Sequence, residues 1–351
     1  MKPRLVLGAS LALAACVLAI ALSPALSKVE QTSSGTVMTG AAQAYLATLS
    51  DEQKKIGLLE FDARERVGWH FIPLATRKGV RVRDMNDAQR KAAHQLLATS
   101  LSELGYSKAT QIMHLEEVLA QLEGDKEHKR RDPLKYYFTL FGEPQAEGRW
   151  GLSVEGHHLS FNFVVDRGEV VASTPQFMAA NPSFVQKDFE GAAKKGTAVL
   201  AKEEELGFAL VKSLDEAQFK TALIADKAPA DIRGAAEPQA PQTKPEGIAA
   251  GKLSAAQKEA LEELVEEYIA AMPADVAAVR RSEIEKAGFD NVYFAWAGAT
   301  KLGIGHYYRV QGPTLLIELV NVQPDAAGNP ASHIHCVWRD PRGDFGIPVA
   351  K

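Results

Sequence analysis

Two shortages set the first limits on this 351-residue chain. It holds only two cysteines, Cys16 and Cys336. Cys16 lies in an apolar N-terminal run, so removal of that run leaves Cys336 alone and excludes an intrachain disulfide. The chain must then hold together through a core. Its 46% apolar content over this length is enough for one large domain or two smaller ones. An excess of charge is also lacking: the formal net charge is −4, which excludes a broad electrostatic grip on nucleic acid. There is no Gly-x-Ser-x-Gly elbow, no His-Glu-x-x-His, no P-loop and no Gly-x-Gly-x-x-Gly turn. The commonest serine-hydrolase, zinc-protease and nucleotide-binding signatures are therefore missing.

What is present begins with a targeting signal. Lys2 and Arg4 precede an uncharged stretch from Leu5 to Ser27, and small residues follow around Ser23-Pro24-Ala25-Leu26-Ser27. This is the pattern of a secretory signal peptide over residues 1–27. An uncleaved membrane anchor is the competing reading, since about twenty apolar residues span a bilayer. Lipidation at Leu13-Ala14-Ala15-Cys16 is a third, although the apolar run continues past the cysteine. All three place the rest of the chain outside the cytoplasm, secreted or periplasmic. Only the N-terminal segment would touch a membrane.

Residues 28–42 read as a flexible lead-in. An N-terminal half follows over residues 43–227, with helices over 87–104 and 108–122. Its strands are expected over 136–141, 151–155, 159–165 and 169–173. Residues 228–250 hold four prolines without periodicity and read as an extended connection. A C-terminal half then runs over residues 251–351, again helices first and strands after. Laying Tyr136–Val165 over Val292–Asn321 at a constant offset of 156 matches Phe138 with Phe294, Gly142 with Gly298 and Gly156 with Gly312. Ala88-Gln89-Arg90 resembles Ala256-Gln257-Lys258 at a shifted offset. The expected fold is α+β: two related halves, each helices followed by an antiparallel sheet, with packing of both as one pseudo-symmetric domain as an open alternative.

Nine histidines are present, and five fall in the strand-rich regions: His157, His158, His306, His333 and His335. Alternate residues on a strand share a face, so His333 and His335 can converge. Two imidazoles at that spacing suit Zn or Cu, and His306 is the expected third ligand from a neighbouring strand. One of His157 and His158 can join if the two sheets face each other. The bland reading is a set of hydrogen-bonded structural histidines. Glu155, Glu318 and Asp340 are the candidate acid–base carboxylates, with Asp344 nearby. Asp340 and Asp344 serve equally well as turn residues. Glu116 reads as a solvated helix position. Arg309 and Arg339 can clamp an anionic group, or simply form surface ion pairs. Cys336 reads as a buried thiol.

Several segments together resemble the DUF3500 family. They are Gly156-His157-His158-Leu159-Ser160, Phe294 to Gly298, His306 to Pro313, and His333-Ile334-His335 through Asp340 to Asp344-Phe345-Gly346. Trp69 to Pro73, Ile112-Met113 to Glu116, Arg131-Asp132-Pro133 and Asn181-Pro182 fit as well. The resemblance covers roughly residues 40–346. It implies a mostly secreted bacterial protein of unknown function and supplies no catalytic residue. The family pattern has an Asn-rich stretch before the His-x-His, where this chain has Pro324 to Pro330, so any ligand contact from those amides is in doubt.

The leading expectation is an exported metal-dependent enzyme, a hydrolase or lyase acting on a small polar molecule, or a copper oxidase using the same ligands. The alternative is a non-enzymatic protein that binds a small molecule between the halves through Trp150, Trp296, Trp338, Tyr307, Arg309 and Arg339. A structural envelope protein is favoured only if the N-terminus stays as an anchor.

Overall fold

A computed structural model describes residues 32–349, all of which fall in one compact unit. The export segment and the first residues of the lead-in lie outside the described residues. The rest of that lead-in is not extended: Ser33 caps a helix, α1 (Ser34–Thr48), whose Met38, Ala42 and Tyr45 are buried. The remaining helices are α2 (Asp51–Gly57), α3 (Asp87–Ser100), α4 (Glu103–Glu123), α5 (Ala201–Ser213), α6 (Glu216–Ala222), α7 (Ala255–Ile269) and α8 (Ala274–Ala287). No described helix is long and apolar enough to cross a membrane.

Local chemistry places many of these helices. Ser50/Gln53, Asn86/Gln89, Asp215/Gln218 and Ser254/Gln257 are capping boxes, in which each side chain satisfies an otherwise free backbone N–H. The glutamines also bridge helices. Gln89 donates to the Thr48 carbonyl and to Gln53, and Gln257 donates to the Ser213 carbonyl and to Gln218.

The strands are β1 (Leu58–Leu59), β2 (Val80–Arg81), β3 (Tyr137–Phe141), β4 (Arg149–Gly156), β5 (Leu159–Asp166), β6 (Glu169–Ala172), β7 (Gln176–Ala180), β8 (Leu223–Ala225), β9 (Ile248–Ala249), β10 (Tyr293–Gly298), β11 (His306–Gly312), β12 (Leu315–Asn321) and β13 (Ile334–Arg339). They form one 13-stranded, mostly antiparallel sheet in the order β1-β3-β4-β5-β7-β13-β12-β11-β10-β8. The fold class is α+β, as expected.

The residues aligned at an offset of 156 sit in matching registers. Tyr137 pairs with Glu155 as Tyr293 pairs with Gln311, and Gly156 with Leu159 as Gly312 with Leu315. The match extends further than the sequence alignment. Leu58 pairs in parallel with Leu140, and Leu223 with Trp296. Val80 pairs with Phe138, and Ile248 with Phe294. Gly79 and Gly247 both have positive φ just before those short strands, and a Cβ on either would meet a strand carbonyl, that of Phe138 or Phe294, at 2.5 or 2.1 Å. Only glycine fits so close a backbone approach.

Two expected boundaries move. Residues 201–225 were placed with the first half, but β8 pairs with β10, so α5, α6 and β8 build the second part of the sheet. Residues 228–250 do not join two halves. They lie between β8 and β9, both neighbours of β10, and fold back over the sheet. The halves do not face one another across a cleft either. They share one sheet through β7 and β13, where His335 pairs with Ala179 and Trp338 with Gln176. β7 carries little alternation and was not anticipated.

The sheet has two unlike faces. Helices cover one, burying Trp150, Phe161, Trp296, Tyr308, Ile317, Cys336 and Trp338 in the main core. Irregular segments cover the other, where Trp69, Phe71, Phe177, Ile232, Tyr307, Val320 and Val337 form a smaller core.

Candidate metal centre

His157 and His158 occupy the two-residue turn between β4 and β5, since Gly156 pairs with Leu159. His158 has φ +63°. A left-handed backbone is uncommon outside glycine, and histidine is among the few residue types that adopt it more readily. Two backbone bonds hold it: the His158 N–H donates to the Phe71 carbonyl at 2.9 Å, and the His158 carbonyl accepts from Ala179 at 2.9 Å. The sharp turn also makes adjacent rings parallel, where strand geometry would have opposed them. The His157 and His158 rings stack with centroids 3.6 Å apart.

This turn lies beside the start of β13, where three imidazoles converge. His333 Nε2 is 2.8 Å from His158 Nε2 and 3.0 Å from His335 Nε2. Three nitrogens bound to zinc at about 2.0–2.1 Å and tetrahedral angles stand about 3.3 Å apart, so a small opening of this cluster accommodates an ion. The three residues form a group that could hold a metal ion. His158 and His335 are buried, and His333 is partly so.

The surroundings orient the ring nitrogens. Asp231 Oδ1 lies 2.8 Å from His335 Nδ1, so Nδ1 donates to the carboxylate and the Nε2 lone pair is left for the cluster. Asn181 Nδ2 is 3.4 Å from His333 Nδ1, while the Asn181 Oδ1 has no partner. Turning that amide over lets Oδ1 accept from Nδ1–H and leaves the His333 Nε2 lone pair free. Phe71 and Phe177, stacked at 3.9 Å, meet the His335 ring edge-on. Burial pushes His158 well below the usual histidine range and His333 down to about 3, with the neighbouring imidazoles adding to the effect. Neutral imidazole is the form that binds a metal.

A second group, Glu116, His157 and His158, lies behind the first. It is poorly suited to a separate ion. Stacked rings aim their in-plane lone pairs in parallel, and the Arg131 guanidinium, held by Glu123, sits 3.1 Å from His157 Nδ1. Glu116 Oε1 is 2.5 Å from His157 Nδ1, and burial pushes its carboxyl up to about 8. This group fixes the turn and presses His157 against His158.

Other expected residues lie elsewhere. His306 is on the helix-covered face, 0% exposed. It stacks on Trp296, donates from Nδ1 to the Ile304 carbonyl at 2.8 Å, and cannot reach His333 or His335 across the sheet. It is not the third ligand, because even-numbered positions of β11 face the helices. Trp150, Trp296 and Trp338 share that face, so none of these three lines the histidine side. Asp340 is clamped to Arg342 at 2.6 Å. Glu155 pairs with Lys78 at 2.8 Å. Glu318, fully buried, accepts from Tyr307 at 2.7 Å and from the Arg233 backbone at 3.2 Å. Arg309 is bound to Glu246 at 2.5 Å. Arg339 is bound to Asp344 at 2.5 Å and covers Trp69. Tyr307, Arg309, Glu318 and Arg339 do lie on the histidine face, but none contacts the cluster.

Asp231 was missed because it lies in a segment without periodicity. Glu116 was read as solvated yet is 2% exposed. Cys336 is a free, buried thiol. A family model described as "Protein of unknown function (DUF3500)" matches residues 31–347. No curated protein and no solved structure matches the chain.

Proposed function

Because the chain belongs to the DUF3500 family, whose function is unknown, we propose its chemistry from its geometry: it is a metal-dependent enzyme whose ion is held by His158, His333 and His335. One observation carries this reading, the convergence of three Nε2 atoms at 2.8 and 3.0 Å with a carboxylate behind one of the rings. Three neutral imidazoles are a donor set for Zn or Cu. Three protein ligands leave a fourth position for water or substrate, as catalytic rather than structural zinc sites do. Such an ion supplies a water acidic enough to ionise near neutral pH. Asp231 holds His335 in the ligating tautomer, and the Phe71–Phe177 pair fixes that ring. The reaction best suited to this arrangement is hydrolysis or elimination on a small polar molecule. Export is part of the same reading and rests on the sequence of residues 1–27.

Elemental analysis of purified protein tests it. About one Zn or Cu per chain is expected, and loss of it in His333→Ala and His335→Ala. Chelation should lower the melting temperature of the wild type only, since an ion that binds only the folded state stabilises it by mass action. Protein without stoichiometric metal, or histidine variants with undiminished metal uptake, would overturn the proposal. Hydrolysis of a panel of small esters and amides, lost on chelation and restored by Zn, separates enzyme from binding protein.

A further inference from the structure

The second hairpin, β11–β12, closes in the same register as the first, so Thr314 stands where His158 stands in the turn of β4–β5. No histidine lies beside it. Instead, a narrow cavity of about 80 Å³, open at its mouth, runs between this turn, β6 and α8. Arg280 of α8 forms part of its wall. The Arg280 side chain is only 6% exposed, and its partners are all uncharged. Nη1 donates to Gln176 Oε1 at 3.1 Å, and Nη2 donates to the Ser173 carbonyl at 3.1 Å and hydroxyl at 2.8 Å. The guanidinium lies 4.5 Å over the Trp338 ring.

Two carboxylates share the wall, Asp340 and Glu283, but Arg342 binds both, at 2.6 and 2.8 Å. Neither lies within ion-pair distance of Arg280. No carboxylate hydrogen-bonds the guanidinium, and its burial lowers its pKa to about 9, with the nearby charges of Asp340 and Glu283 offsetting only part of that cost. Two further features point to a ligand. Thr314 Oγ1 lies buried in the wall without a hydrogen-bond partner. At the mouth, Val171 and Val279 are apolar yet 49% and 55% exposed.

We propose that this cavity is a second binding site, separate from the histidine centre, for a small organic acid. The acid's carboxylate meets the remaining Arg280 donors and the Thr314 hydroxyl, and its hydrocarbon part covers Val171 and Val279. A guanidinium offers five N–H donors in a planar fork, and the protein engages only some of them here.

Calorimetric titration of the full chain with benzoate, benzamide and inorganic phosphate tests the site. Benzoate should bind saturably at one site. Benzamide, which lacks the charge, and Arg280→Gln, which lacks the cation, should each weaken binding by about tenfold or more, the worth of a charge-assisted pair. Val279→Trp fills the mouth from an exposed position and should abolish benzoate binding while leaving the fold and metal content unchanged. It decides the question even if Arg280→Gln fails to fold. Equal binding of benzamide and benzoate, undiminished benzoate binding by Val279→Trp, or binding of phosphate alone would each overturn the proposal.

Discussion

His158 carries two demands at one residue, a left-handed backbone and a ring aimed at His333. They can be separated by substitution. Asn tolerates the left-handed region and Ala does not, a difference of about 1 kcal/mol. Metal-free His158→Asn should therefore exceed His158→Ala in stability by about that amount in urea denaturation, while both lose the ion. Equal stabilities would mean that the turn relaxes without strain. At this scale the sequence was partly legible. The rings of His333 and His335 do converge, although His333 precedes β13 rather than lying on it. His306 failed because neighbouring strands do not align by residue type alone. A shift of one position sends a side chain to the other face, and nothing local fixes that choice. Asp231 left no trace, because its role comes from tertiary packing of an irregular segment.

Among the elements, the two glutamine bridges give a matched pair of tests. Gln89 caps α3 and ties it to α1 and α2, and Gln257 does the same for α7 with α5 and α6. Replacing either by Ala removes a cap and leaves a part-buried carbonyl short of a donor. A cost of about 1–3 kcal/mol is expected for each from the shift in urea midpoint. A negligible cost at one alone would show that the two bridges differ in importance. Capping boxes of this kind are readable in sequence, and the helix expected over 87–104 starts where α3 starts but overruns its end at Ser100. β1, β2, β8 and β9 were not readable, since strands of two or three residues carry no period. β7 escaped for another reason. Its burial on both faces removes the alternation that marks a half-exposed strand.

For the whole molecule, continuity of the sheet outweighs the recurrence of its parts. β7 and β13 join the recurring sections by backbone pairing. On the helix side, buried Lys108 of α4 reaches Glu203 of α5 at 2.7 Å and Glu267 of α7 at 2.5 Å. Neither section can leave without exposing a sheet edge and stranding buried charge. Equilibrium unfolding should therefore be a single transition, with tryptophan fluorescence and far-UV circular dichroism superimposing. Two resolved transitions would show that the sections are separately stable. The alignment at offset 156 agrees with the pairing registers, and packing of the halves as one domain was an open alternative, but nothing in the alignment said which edges meet.

The histidine centre draws His158 and His333 together over 175 residues of chain. A bound ion there is a cross-link that closes a very long loop. Closing such a loop with a covalent bridge removes unfolded-state entropy worth on the order of 5 kcal/mol. A chain whose Cys336 is a free thiol could take that restraint from a metal instead.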